Sequence, residues 1–132
     1  MERVLAESNK FIVTSEYEEV YLNFKDSRKR ICIGDFYGDP ESAAISDDES
    51  FCAMAGYGLI IYYLKEPFEA YRYHVSTDQW DEFFRDKGRG WWIADVKIAD
   101  NSVITFYAEQ TDTEVSGRYE MKADSHVVCK CV

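Results

Sequence analysis

Along the chain, apolar residues fall in short segments separated by Gly, Pro, Asp, Asn and Ser. Segments of that length, rich in Val, Ile, Phe, Tyr and Trp and bounded by turn formers, predict β-strands. The first four are expected near Phe11–Thr14, Val20–Phe24, Arg30–Tyr37 and Ala43–Ile45, with Gly38-Asp39-Pro40 as a stop signal. Two more are expected at Phe51–Ala55 and Leu59–Leu64, divided by Gly56-Tyr57-Gly58. Leu59-Ile60-Ile61-Tyr62-Tyr63-Leu64 has no polar phase, so this strand should be central and covered on both faces. Three strands close the chain's second half: Trp91–Ile98, Val103–Glu109 and Val115–Met121, with turns at Asp100-Asn101 and Thr111-Asp112-Thr113. In the last of these, Val115, Gly117, Tyr119 and Met121 alternate with Ser116, Arg118, Glu120 and Lys122, the pattern of a strand with one wet face. Val127, Cys129 and Cys131 continue the alternation as a candidate core phase.

One segment breaks the two-residue rhythm. Trp80, Phe83 and Phe84 are spaced i, i+3, i+4, which lines one face of a helix. Ser76 and Gln79 match a capping box, and Val75 with Trp80 matches the hydrophobic staple that accompanies it. Asp78 in the first turn, Arg85 and Lys87 in the last and Gly88 beyond them suit a helix over Thr77–Asp86. The expected fold is therefore α+β. It is a mostly antiparallel sheet, curved or half-barrel, with this one main helix packed on it, in a single domain over residues 1–132.

Composition narrows function mainly by exclusion. The chain has 132 residues, 25 Asp and Glu against 15 Lys and Arg, and a formal charge of −10. Phosphate backbones are bound through Lys and Arg, so nucleic acid is not an expected partner, and an anionic membrane surface is disfavoured for the same reason. The N-terminal ten residues carry no apolar stretch, which leads us to expect a cytoplasmic protein with its four cysteines as thiols. Among those, Cys32 and Cys52 sit among apolar neighbours and read as buried.

The charge is unevenly spread. From Ile31 to Leu64 there is no Lys or Arg, while Asp35, Asp39, Glu41, Asp47, Asp48 and Glu49 lie in that window. One reading is a solvated face that keeps the protein soluble. The other is a docking surface for a basic partner, steered by complementary charge. In that reading Glu41, Asp47, Asp48 and Glu49 meet the partner's cations, and Phe51, Tyr57 or Trp91 supplies the apolar anchor. Trp91-Trp92 must point to opposite faces of a strand. Trp92 would enter the core with Ala94, Val96 and Ile98, leaving Trp91 and Ile93 either beneath the helix or in a binding surface.

Catalytic and metal chemistry find little support. The acids lack calcium-loop spacing, and Cys129-Lys130-Cys131 is a narrow pair where zinc takes four ligands. There are two His, and no nucleophile elbow, phosphate loop or dinucleotide fingerprint. No cofactor and no enzymatic activity are expected. The segments Gly38-Asp39-Pro40-Glu41, Ala43-Ala44-Ile45-Ser46, Gly56–Leu64, Glu66-Pro67-Phe68 and Gly90-Trp91-Trp92-Ile93 resemble small acidic bacterial immunity proteins of polymorphic-toxin and contact-dependent inhibition systems. That resemblance implies a role: tight binding and neutralisation of a cognate, basic toxin domain. The alternative from the residues themselves is a small-molecule-binding or enzymatic domain, its pocket lined by Trp80, Trp91, Tyr71, Tyr73 and His74. The chain is expected as a monomer, or as a homodimer through an exposed strand edge.

Overall fold

The structure, a computed structural model, describes residues 2–85, 90–110 and 114–131. It contains twelve strands, arranged as three antiparallel sheets of four. The first sheet is β1 (Glu2–Glu7), β2 (Phe11–Glu16), β3 (Glu19–Phe24) and β4 (Arg30–Asp35), in that order. The second is β5 (Ser42–Ile45), β6 (Phe51–Gly56), β7 (Gly58–Tyr63) and β8 (Trp80–Phe83), also in chain order. The third contains β9 (Trp92–Ala99), β10 (Val103–Glu109), β11 (Gly117–Lys122) and β12 (Val128–Lys130), again with sequential neighbours. Every sheet neighbour is thus the next strand in sequence, most of them joined by short turns, with β7 and β8 joined by the longer segment 64–79.

Two apolar clusters explain the stacking. Alternate residues of the middle sheet point to opposite sides. Cys52 and Met54 of β6, with Ile60 and Tyr62 of β7, meet Val13, Val20, Leu22 and Ile33 of the first sheet. The intervening Phe51, Ala53 and Ala55, with Leu59 and Ile61, meet Ile93, Ile104, Phe106 and Met121 of the third. The middle sheet is therefore a shared inner layer. Both faces of β6 and β7 are dry, which is why Leu59–Leu64 lacks a polar phase.

The expected α+β fold is overturned, because the described residues contain no helix. Trp80–Phe83 is instead a strand paired with β7, in register Tyr62↔Trp80 through Leu59↔Phe83. In a strand, positions three apart face opposite ways. Trp80 joins Tyr62 and Tyr71 on one side, and Phe83 and Phe84 join the cluster on the other. The capping signals were put to other uses. The Gln79 side chain, 3% exposed, donates from Nε2 to the carbonyls of Tyr63 at 2.6 Å and Lys65 at 3.0 Å. Its Oε1 accepts the Glu69 N–H at 3.1 Å. The Gln79 N–H itself goes to Thr77 Oγ1, and Trp80 Nε1 donates to Val75 O. A helix here would have left the outer edge of β7 without partners in a dry layer, and tertiary pairing outweighs local propensity. Asp86, Lys87, Gly88 and the Thr111-Asp112-Thr113 turn lie outside the described residues.

Two further expectations change phase by one residue. A β-bulge interrupts the β9–β10 ladder between Ala94↔Tyr107 and Lys97↔Thr105, with Asp95 at φ 54°. The extra residue places Ile93 and Val96 on the same inner face, so Trp92 points out rather than into the core. At the C-terminus, Cys129 pairs with outward Glu120, whereas Val128 and Lys130 pair with inward Met121 and Tyr119. Cys129 and Cys131 are accordingly exposed, not core thiols. The N-terminal strand β1 was unforeseen. Its pattern is mostly exposed because it is an edge strand, held by pairing with β2 and by lying against β5.

Candidate functional site

The strands run between two ends, and each end is knitted by its turns. At one end the β5–β6 turn reaches both outer sheets. Glu49 Oε2 accepts the Ser8 hydroxyl at 2.5 Å and the Lys10 N–H at 2.9 Å, both from the β1–β2 turn. The Asp48 N–H donates to Asn101 Oδ1 of the β9–β10 turn at 2.9 Å. Asp48 Oδ1 also accepts from the hydroxyls of Ser46 at 2.8 Å and Ser50 at 2.6 Å. These bonds hold both carboxyls below the ordinary carboxylate range. For Asp48 the Ser50 and Ser46 hydroxyls dominate; for Glu49 the Ser8 hydroxyl comes first, then the Lys10 N–H. Asp48 and Glu49 thus serve the fold directly, while Asp47 is exposed beside them.

The opposite end gathers the β2–β3 turn, the loop from Phe36 to Glu41, the β6–β7 turn and the entry to β9. The Phe36 N–H donates to Glu18 O at 2.8 Å and the Gly38 N–H to Glu18 Oε2 at 2.5 Å. The Gly58 N–H donates to Trp91 O at 2.7 Å, and Tyr57 and Trp92 form an isolated bridge. Here three rings form a row: Tyr37 to Tyr57 at 6.1 Å and Tyr57 to Trp92 at 5.4 Å between centroids, both edge-on. Tyr37 is 77% exposed, Trp92 39% and Tyr17, on the adjoining turn, 74%. Glycines make room for the row. A Cβ on Gly38 would sit 3.0 Å from Trp92, and one on Gly90 would sit 2.2 Å from the Tyr57 ring.

Carboxylates surround this row. Glu18, Asp39 and Glu41 are exposed, and Asp35 is half-buried at the end of β4. Burial, then the neighbouring Glu19 and Glu18, raises the Asp35 carboxyl above its ordinary range, with Arg85 opposing. Arg85 is mostly buried. Its Nη2 donates to Asp35 O at 2.6 Å, its Nε lies 3.4 Å from Glu82, and its guanidinium covers the Phe36 ring at 4.8 Å. Arg3 reaches in from β1 to the Pro40 carbonyl. Arg3 and Arg85 thus each give a guanidinium N–H to a backbone carbonyl of the cation-free window.

The sequence-based site residues are therefore divided. Glu41 and Tyr57 lie at the aromatic end; Asp47, Asp48 and Glu49 lie at the other, beyond the length of β5. Phe51 is 4% exposed and packs in the cluster between the middle and third sheets. Trp91 is half-buried, stacked on Phe84 at 4.4 Å and 3° between planes, so its neighbour Trp92 is the exposed ring. Tyr37 is visible in the sequence as an aromatic beside the acids, though not as an anchor, whereas Tyr17 and Trp92 carry no such signal. Tyr17 and Tyr37 closely follow the last residues of β2 and β4, the position of end-of-sheet rings. Trp92 could be found only by knowing the bulge.

The alternative pocket does not assemble. Trp80 and Tyr71 pack in one cluster, Trp91 borders the other, and Tyr73 and His74 lie against each other, tilted, on the outside. Among the described residues no group of three or more His, Cys, Asp or Glu could hold a metal ion. Comparison with known proteins found no matching family model, no matching curated sequence and no matching solved structure.

Proposed function

We propose that this chain is a non-enzymatic, cytoplasmic protein-binding module that neutralises a basic partner, as an immunity protein neutralises its toxin domain. The observation that carries the reading is the row Tyr37–Tyr57–Trp92 set among Glu18, Asp35, Asp39 and Glu41. Exposed Tyr and Trp are the residues that anchor interfaces, and their ring faces also accept Arg and Lys. The Asp35 carboxyl is raised first by burial and then by Glu19 and Glu18, and a partner's cation opposes the like-charge part of that shift. Fixed backbone beneath the rings reduces the ordering cost of binding. The opposite acidic group is less suited, since Asp48 and Glu49 are already committed to the fold.

The test looks for a basic domain encoded beside this gene, as the proposal expects, and co-expresses it with the chain. The chain should protect cells from that domain and co-purify with it. Trp92→Ala, and Asp39→Lys with Glu41→Lys, should abolish the complex or weaken it at least tenfold. Asp47→Lys should leave it near wild type and alter mainly the salt dependence of association. Absence of such a basic domain, absence of a complex, or equal tolerance of all three variants would overturn the proposal.

A further inference from the structure

The Lys25–Arg30 run, the densest group of cations in this acidic chain, plays no part in the reading above. It forms the β3–β4 turn, at the end of the molecule away from the aromatic row. Beside it lies an open cleft of about 800 Å³ between that turn and the segment around Pro67. The volume is that of a small-molecule site. Its apolar lining is half-buried Phe24, Ile31 and Phe68, with exposed Pro67 beside them; Phe24 and Phe68 lie edge-to-face at 4.9 Å.

The charges at its lip sort into two kinds. Arg30 is engaged: it covers the Tyr21 ring at 3.6 Å and pairs with Glu16 at 3.2 Å and Glu2 at 3.4 Å. Lys25, just outside, is paired with Glu7 at 2.6 Å. Lys29, Asp26 and Glu66 line the cleft and enter no ion pair among the described residues. The lip therefore offers one uncommitted cation and two uncommitted carboxylates above a floor of rings. A simple anion would meet the two acids, and a simple cation would meet Lys29 beside Arg30. A molecule carrying both charges satisfies both kinds of group, and an apolar body covers the floor.

We propose that this cleft binds a small zwitterion with an apolar body, the chemistry of a free hydrophobic amino acid or a short apolar peptide. Its carboxylate meets Lys29, its ammonium meets Glu66 or Asp26, and its side chain lies on Phe24 and Phe68. The site is separate from the docking surface, so the two proposals stand or fall independently.

The test is a titration of the full-length, isotopically labelled protein by amide NMR, with L-phenylalanine and the dipeptide Leu-Phe as probes. Saturable shifts should be confined to residues 24–31 and 66–68. The tighter of the two probes reports whether the charges sit on one carbon or are spread along a peptide. N-acetylation or C-terminal amidation, each removing one charge, should weaken binding at least tenfold. Lys29→Met, and Glu66→Gln combined with Asp26→Asn, all at exposed positions, should do the same while leaving the remaining spectrum unchanged. No saturable shift at millimolar ligand, shifts spread over the molecule, or equal binding of the blocked probes would overturn the assignment.

Discussion

The carboxylate of Glu49 holds the hydroxyl of Ser8 at 2.5 Å across 41 positions of sequence. This contact joins the middle sheet's β5–β6 turn to the first sheet, and the same oxygen takes the Lys10 N–H. Its energetic weight depends on the charge of Glu49. The folded-state carboxyl is held below its ordinary range, so the contribution is present above the free-glutamate value of about 4.3 and is lost as pH falls through the lower folded-state value. Glu49→Gln should cost about 1 kcal/mol at neutral pH, below the usual worth of a charged hydrogen bond because solvent screens this one. Thermal melts of both proteins across the acid range should converge below the ordinary glutamate range; a constant gap would show that the ionised carboxylate is not what matters.

Gln79 carries a heavier load. Its buried side-chain amide meets two carbonyls and one N–H, at the end of β7 and in the segment that follows it. Gln79→Leu keeps the volume but takes this partner from the Lys65 carbonyl and the Glu69 N–H, while the Tyr63 carbonyl keeps the Lys65 N–H; with both groups near solvent the loss should be about 1–2 kcal/mol. Chemical denaturation measures this directly. If the segment were merely a misplaced helix, the same substitution would be neutral or mildly stabilising, since leucine is the better helix former.

Gly58 combines φ +92° with no room for a side chain. A Cβ there would sit 2.0 Å from Arg85 Cγ and 2.8 Å from the backbone oxygen of Phe83. Gly58→Ala should therefore lower stability by about 2 kcal/mol or more through backbone strain and displacement of Arg85. It should also loosen the Arg85–Asp35 contact, visible as changed amide shifts at residues 35–38. Gly117, at φ +146°, would crowd only the flexible end of Lys130, so Gly117→Ala should cost less.

The four thiols should divide cleanly in a labelling experiment. Cys129 and Cys131 are exposed and should react with a disulfide reagent at mildly alkaline pH within the mixing phase. Cys32 is half-buried rather than buried as its neighbours suggest; burial still pushes its thiol up to about 11 and the fully buried Cys52 thiol up to about 12, so both should stay protonated and out of the fast phase. Two fast equivalents followed by two more in denaturant is the expected stoichiometry; early reaction of Cys52 would place it elsewhere than between the first two sheets.

Strand positions were legible in the sequence wherever a period of two met turn residues, and so was the dry character of Leu59–Leu64. Three features were hidden, each for a physical reason. The spacing of Trp80, Phe83 and Phe84 fits one face of a helix as well as two faces of a strand in a three-layered protein, and local signals cannot tell which. The bulge at Asp95 is fixed by partners far away. The Val96 N–H donates to Ser42 Oγ at 2.9 Å, and Asp95 binds Arg118 of β11. The charge asymmetry was visible, but its division was not. That depended on β5 carrying the chain from Glu41 at one end to Asp47 at the other.

The dry middle layer has a consequence for how the chain can be shortened. Neither outer sheet contains a core of its own, because each completes one side of β6 and β7. Cutting away either the first 35 or the last 40 residues, roughly, would leave a bare wall of Met54, Ile60 and Tyr62 or of Leu59, Ile61 and Phe51 facing water. Such fragments should aggregate rather than fold, and the intact molecule should melt in a single step with no half-assembled species.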